Sequence, residues 1–426
     1  MKKKNISIEI GGVQVPVGEI TGEDSSAASF CYKEEYLKGR NAVPVSLSLP
    51  LQPEPFPPDV TRRFFEGLLP EGFTRTSVAR WMHADAGDYL YMLTGLGKEC
   101  LGAIRVTEDG SPEAEPSYEK LSLDQVAALA REGATKSAEL VTRAHLSLTG
   151  ASGKVGLYYN KSGQEWYLPR GDAPSTHIVK QSHVRLEGIV ANEQLSLLTA
   201  KYAGLEVPSS FIINTGDSKD EEVLFATERF DRTFEGSTRV VSGRPCPLRL
   251  HQEDFAQALG ISSAEKYEHD QADYLRKMFG LLSAASTDPV ADQLKLWDMV
   301  VFDYLIGNTD CHLKNFSLLY GKDLSTIRLA PAYDIVSTCV YENSSRDMAF
   351  SIGGEYELDK ISRASFEAST AATGLGSRIA MARFDDLCAR FLPALERAGE
   401  ELTAQGFRSI PSIKARILEG GGIRLV

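Results

Sequence analysis

Between Asp310 and Asn315 the chain reads D-C-H-L-K-N, and Asp334 follows in L-A-P-A-Y-D-I. Two carboxylates, an amide, an imidazole and an ammonium so close together are the groups that phosphoryl transfer uses. A carboxylate orients the attacking hydroxyl, an amide and a second carboxylate hold magnesium, and a cation meets the phosphates. A D-x-x-x-x-N loop followed by a separate magnesium Asp is how protein kinases supply them. On that pattern Asp310 is the base, Asn315 and Asp334 are metal ligands, and His312 or Lys314 is a phosphate contact. The same residues also suit a polar helix-to-strand connection in which Asp and Asn cap turns. This stretch alone leaves both readings open.

The loop needs a rigid element to hold it. The apolar run at residues 297–306 predicts a buried helix, stopped by Gly307 and Asn308. Residues 316–320 and 327–329 predict two short strands about a Gly321-Lys322-Asp323 turn. Upstream, residues 146–159 read as strand, glycine turn, strand, and Gly150, Gly153 and Gly156 let backbone N–H groups approach phosphate oxygens. This is no Walker A loop, because Val155 stands where Ser or Thr is needed, and an ordinary hairpin has the same look. Lys180 lies on the strand predicted at 176–180, the layout that aims an ammonium at nucleotide phosphates. Glu193, in a helix predicted at 192–202, is the acid that would pair with it. Singly they read as a surface lysine and a first-turn acid; in this order, upstream of Asp310, they read as one site. Residues 223–232 predict a strand running into charge. A kinase hinge would fall there, the backbone of Glu228, Arg229 and Phe230 meeting adenine; the alternative is a solvated strand end.

The rest of the chain bounds the answer. At 426 residues it is long enough for two or three domains. No apolar run reaches the roughly 18 residues of a membrane span. Six scattered cysteines without a C-x-x-C pair argue for reduced thiols over a disulfide framework or a zinc site. His83, His145, His183, His251 and His269 stand alone and read as structural or surface groups. A net charge of −12 argues against a surface built for nucleic acid, because phosphate neutralisation needs a basic face. The expectation is an acidic, soluble, cytoplasmic protein with no membrane partner. Strands are predicted at 6–10 and 13–17 as a hairpin, then at 30–36, 43–49 and 103–106. Helices are predicted at 64–69, 74–84, 121–132 with Ser122 as N-cap, 249–260 and 361–418, with a linker at 107–120 and a loose glycine tail at 420–422. The division expected is 1–110, 111–232 and 233–426.

With these residues in hand, the chain resembles the HipA toxin kinases of bacterial type II toxin–antitoxin systems over nearly its whole length. The resemblance rests on V-S-L-S-L-P-L (45–51), E-G-L-L-P-E-G (66–72) and G-L-G-K-E-C-L-G-A (95–103) toward the N-terminus. The kinase part contributes S-L-T-G-A-S-G-K (147–154), T-H-I-V-K, N-E-Q, E-R-F-D-R, R-L-H-Q-E-D-F, G-N-T-D-C-H-L-K-N-F-S and L-A-P-A-Y-D-I-V-S-T. The resemblance implies an α/β (α+β), two-lobed, protein-kinase-like fold related to lipid kinases. It has a β-rich N-lobe with an N-terminal subdomain and a mainly helical C-lobe.

It further implies ATP and Mg2+ as cofactors, Asp310 as catalytic base, and Asn315 and Asp334 as magnesium ligands. Thr149, Gly150, Ala151, Ser152, Gly153 and Lys154 would line the phosphate loop, with Lys180, His312, Lys314 and Tyr333 as further nucleotide contacts. Glu228, Arg229, Phe230 and Asp231 would form the adenine-binding segment, and Glu193 would pair with Lys180. Ser147 falls on the serine these kinases autophosphorylate to switch themselves off; a phosphate there adds about two negative charges beside a site for ATP. The family's loop commonly reads G-A-Q-E-K, whereas here it is G-A-S-G-K, which leaves Thr149 or Ser152 as alternative acceptors. Implied partners are a small helix-turn-helix antitoxin of the HipB type, through which DNA is reached, and a protein substrate such as an aminoacyl-tRNA synthetase. Alternatives are an ATP-binding, weakly or non-catalytic regulatory subunit, and a small-molecule kinase on the same scaffold.

Overall fold

The computed structural model describes residues 3–40, 42–110, 115–132, 134–143, 153–182 and 186–425. Two compact units result. The first holds residues 1–181, 226–263 and 319–326, and the second holds 182–225, 264–318 and 327–426. The expected N-terminal subdomain thus shares one unit with the N-lobe strands that precede residue 182, whereas the strand Ser210–Asn214 of the expected N-lobe falls in the second.

The first unit opens with the predicted hairpin. Lys4–Ile10 and Val13–Thr21 pair antiparallel through Gly11 and Gly12, whose φ values of 56° and 87° give the turn that follows the strands' twist. Ser29–Tyr32 and Ile104–Glu108 flank this pair, in the order 29–32, 13–21, 4–10, 104–108. Its apolar face, including Ile6, Ile8, Val17, Ile20 and Val106, is buried together with Phe64, Phe65, Leu90 and Leu93 from the helices Pro58–Glu66 and Tyr89–Leu96. Four neighbouring strands of a second, six-stranded sheet pair antiparallel in the order Ser117–Lys120, Glu165–Arg170, Lys154–Asn160, His177–Gln181. Ser122 caps the helix Leu123–Glu132 as expected, accepting from the Gln125 N–H at 3.2 Å.

Four local expectations change. Residues 43–49 form no strand, because other groups take their backbone: the Glu253 carboxylate accepts from the Leu47 N–H at 3.1 Å, and Tyr32 Oη accepts from the Val45 N–H at 2.9 Å. The supposed linker contains the strand Ser117–Lys120, and the helix Ala134–Arg143 was not anticipated. The helix expected over 249–260 shortens to Phe255–Ala258, preceded by the strand Gln252–Asp254 and opened by a capping box between Asp254 and Gln257. Finally, the glycine tail is packed: Gly422 is buried and Arg346 Nη1 donates to the Gly420 carbonyl at 2.8 Å.

The second unit is mainly helical. At its centre lies Pro289–Ile306, an 18-residue helix with Asp288 as N-cap and proline at its start. Trp297, Val300, Val301, Phe302, Tyr304, Leu305 and Ile306 are all fully buried. The long helix Ser377–Ala404 packs on it; the Trp297 indole N–H donates to the Ala380 carbonyl at 2.8 Å. No helix among the described residues is long and apolar enough to cross a membrane. All six cysteines are free.

Candidate active site

The central helix delivers the loop as the sequence predicts. Gly307 is its C-cap at φ 73°, and a Cβ there would stand 3.0 Å from the Cys339 Cβ, so both conformation and space call for glycine. Asn308 then ties the helix to the loop. Its Nδ2 donates to Asp303 Oδ1 at 2.8 Å and its Oδ1 accepts from the Asp310 N–H at 3.2 Å. Burial pushes the Asp303 carboxyl up to about 7, partly offset by the Asn308 bond.

Asp310 is exposed at the loop's turn. The His312 N–H donates to the Asp310 carbonyl at 2.9 Å, and Asn315 Nδ2 donates to the same carbonyl at 2.8 Å. The single 3-10 turn Leu313–Asn315 therefore folds Asn315 back onto Asp310. The amide nitrogen of Asn315 is spent on that carbonyl, and the remaining amide oxygen is the kind of donor that suits a hard cation.

Asp334 enters from a separate segment that is stitched to the same loop. Thr338 Oγ1 donates to the Gly307 carbonyl at 2.9 Å and accepts from the Thr309 N–H at 2.8 Å. Ser337 Oγ donates to the Ile306 carbonyl at 2.6 Å, while Asn192 grips Ser337 through its N–H and carbonyl at 3.1 and 2.9 Å. Asp334 itself sits at φ 57°, in the left-handed region that non-glycine residues seldom adopt. Strain of that kind collects where a side chain must be aimed. Tyr333 gives its hydroxyl to the Lys314 carbonyl at 2.9 Å and shares a 2.6 Å bond with Ser317, so it braces the loop. His312 and Lys314 are both buried. Asp310, His312, Lys314, Asn315, Tyr333 and Asp334 thus all belong to the second unit.

The first unit holds the other candidates. Lys154 and Lys180 are directly opposed on antiparallel strands, and each is only 8% exposed. Two like charges face to face are unfavourable unless an anion lies near. Glu193, buried on the helix Ile189–Tyr202, belongs to the second unit. Ser147, Thr149, Gly150, Ala151 and Ser152 lie outside the described residues.

In the segment read as an adenine-binding hinge, two side chains turn into the core. Arg229 and Asp231 are fully buried and bonded to each other at 2.9 and 2.7 Å. Arg229 also reaches Glu99 at 3.2 Å and the Cys100 carbonyl at 3.1 Å, and Asp231 accepts from the Gly102 N–H at 2.7 Å. Arg232 and Arg249 complete the cluster on Glu99 at 2.8 and 2.7 Å, with Arg249 bridging to Glu9 at 3.1 Å. The Arg229 N–H is likewise taken, by the Thr176 carbonyl at 2.9 Å. Glu228 is partly exposed and pairs with Lys161 at 3.2 Å. The charged motif therefore closes a buried network within the first unit.

The family model of the HipA-like C-terminal domain matches residues 146–395, and that of the HipA N-terminal domain matches residues 10–107. The chain belongs to the HipA family. Among curated relatives, a putative kinase, Y4mE, of Sinorhizobium fredii is 31% identical over 392 residues, 90% of each chain. The serine/threonine-protein kinase toxin HipA of Shewanella oneidensis is 26% identical over 370 residues, 84% of this chain and 81% of that one. The HipA fold, α/β and kinase-like, is shared with a solved chain from the Shewanella oneidensis complex of HipA, HipB and operator DNA. That match has a TM-score of 0.76 at 22% identity and covers 97% of both chains.

One residue at this HipA-family loop escaped the sequence reading. Tyr267 donates its hydroxyl to Asp310 Oδ1, and its ring meets His312 edge to face at 5.1 Å. Nothing local marks it, since it lies 43 residues upstream of Asp310 in a polar stretch. Among the described residues no group of three or more His, Cys, Asp or Glu forms a metal cluster. His251 is buried, with Nε2 2.9 Å from the Val45 carbonyl, and burial lowers its pKa to about 4.

Proposed function

We propose that this protein is an ATP- and magnesium-dependent Ser/Thr protein kinase, the toxin of a toxin–antitoxin pair. The observation that carries the reading is the joint geometry of Asp310, Asn315 and Asp334: two on one turn, the third on a segment bonded to that turn through Thr338. Asp310 accepts the proton of the acceptor hydroxyl while that oxygen bonds to the γ-phosphorus. The bond from phosphorus to the ADP oxygen breaks, and ADP leaves with the electron pair. Asn315 and Asp334 offer the oxygen donors magnesium prefers, and the bound ion would neutralise phosphate charge. Lys180, with Lys154 opposite, is assigned to the nucleotide phosphates, as are His312 and Lys314 near the loop. Thr149 to Ser152 would complete the phosphate loop, and Ser147 is the proposed inhibitory autophosphorylation site.

The partner proposed is a small HipB-like helix-turn-helix protein, supported by the HipA–HipB–operator DNA assembly of the Shewanella relative. The net charge of −12 fits DNA being reached through that partner. A translation component such as an aminoacyl-tRNA synthetase is the substrate class proposed.

The test is intact mass and peptide mapping after incubation with Mg-ATP, beside Asp310→Asn. Phosphate on Ser147, Thr149 or Ser152 that is absent from the variant is expected. Equal phosphorylation in the variant would sink the mechanism, and nucleotide binding without any transfer would favour a regulatory subunit.

A further inference from the structure

Tyr267 stands in contact with the proposed base, and the question is whether it holds that base or merely covers it. Its hydroxyl donates to Asp310 Oδ1, and its ring packs edge to face on His312 at 5.1 Å. The backbone on either side is fixed. The Lys266 carbonyl accepts from the Leu313 N–H at 3.3 Å, inside the catalytic loop, and the Glu268 N–H donates to the Ala349 carbonyl at 2.8 Å. The Glu268 side chain extends the clamp by accepting from the Asp273 and Ser351 N–H groups at 2.6 and 2.7 Å. A ring held by its own neighbours and by His312 is poorly suited to swinging away at each turnover. It is well suited to fixing another group.

We infer that Tyr267 is a positioning residue for phosphoryl transfer: its phenol locks the Asp310 carboxylate in the orientation that receives the acceptor hydroxyl. A carboxylate has about four acceptor positions, so a bond to Oδ1 sets the plane of the group without exhausting its capacity. The arrangement follows the general rule that a catalytic base is itself oriented by a third group. Asp310 is exposed and its loop is a single turn, so a bond from outside the loop adds a restraint on its rotamer. The inference rests on the kinase reading above.

The experiment compares wild type, Tyr267→Phe, Tyr267→Ala and Asp310→Asn in Mg-ATP turnover, with ATP affinity measured separately by nucleotide titration. Tyr267→Phe keeps the ring on His312 and removes only the hydroxyl. It is expected to lower kcat by about ten- to a hundredfold, the range one hydrogen bond to a charged group supports. The KM and Kd for ATP should stay within about twofold, since uniform binding is untouched. Tyr267→Ala should lose at least as much. An unchanged kcat in Tyr267→Phe overturns the inference while leaving the kinase reading standing. A faster Tyr267→Phe also overturns it and makes the tyrosine a plug that the substrate displaces. A wild type that transfers no more phosphate than Asp310→Asn defeats the kinase reading, and the inference falls with it.

Discussion

Replacing Glu99 by glutamine tests the buried network directly. Three carboxylates, Glu9, Glu99 and Asp231, face three guanidiniums, Arg229, Arg232 and Arg249, all almost fully buried and therefore balanced in charge. Glu99 is the hub: Oε1 accepts from Arg229, Arg232 and Ser175, and Oε2 accepts twice from Arg249 at 2.9 and 2.7 Å. Burial pushes the Glu99 carboxyl up, but the charges of Arg232, Arg249 and Arg229 outweigh it and hold it well below the usual carboxylate range. The Glu99→Gln change would leave one unmatched positive charge and turn an amide N–H toward arginine donors. Breaking a buried pair in this way costs about 3–5 kcal/mol. For a unit of about 150–250 residues, that lowers its melting temperature by about 6–20 °C. The assay is calorimetry of wild type, Glu99→Gln, Arg249→Met and the double variant. The double restores charge balance, so its loss should fall well short of the sum of the two single losses. Additive losses, or a single-variant shift below about 2 °C, would refute the account. Because the folded carboxyl is depressed, its stabilisation is present above the ordinary value of 4.5 and lost as pH falls below it, so the Glu99→Gln deficit should shrink in acid.

Asp303 gives the opposite pH signature. Its folded pKa is raised to about 7 from 3.8, so its contribution is fully present below pH 3.8 and is lost as pH rises to about 7. Asp303→Asn keeps an acceptor for Asn308, and urea unfolding of the variant should lack the wild type's decline across that window; parallel profiles would contradict the assignment. Asp334→Asn should leave thermal stability within about 0.5 kcal/mol, because Asn tolerates the left-handed backbone of φ 57°, yet abolish magnesium-dependent turnover. Turnover that survives the change would remove Asp334 from the metal site.

What could be read in the sequence was what local chemistry encodes. The helix Pro289–Ile306 ends at Gly307 because apolar residues run up to a position only glycine fits, and both signals lie within one window. Asp310 and Asn315 close a single turn, so their spacing alone carried their geometry. Residues 43–49 alternate like a strand, yet the Leu47 N–H is captured by a Glu253 carboxylate 206 residues away, a partner no local window contains. The burial of the Arg229, Asp231 and Arg232 side chains of E-R-F-D-R was hidden for the same reason. Charged residues are rarely buried unless paired; Asp231 within the motif pairs with both arginines, but one carboxylate cannot balance two, and the second, Glu99, lies 130 and 133 residues earlier in the chain. The motif's sequence therefore reports a need for partners without saying where they are. Tyr267 is the sharpest instance, because a tyrosine in a polar loop carries no signal until the fold sets it against Asp310. In this chain the groups assigned to chemistry are encoded locally, whereas the groups that orient and buttress them are encoded only through the fold. Variants of Tyr267 and Glu99 therefore test that fold more sharply than variants of the motif they support.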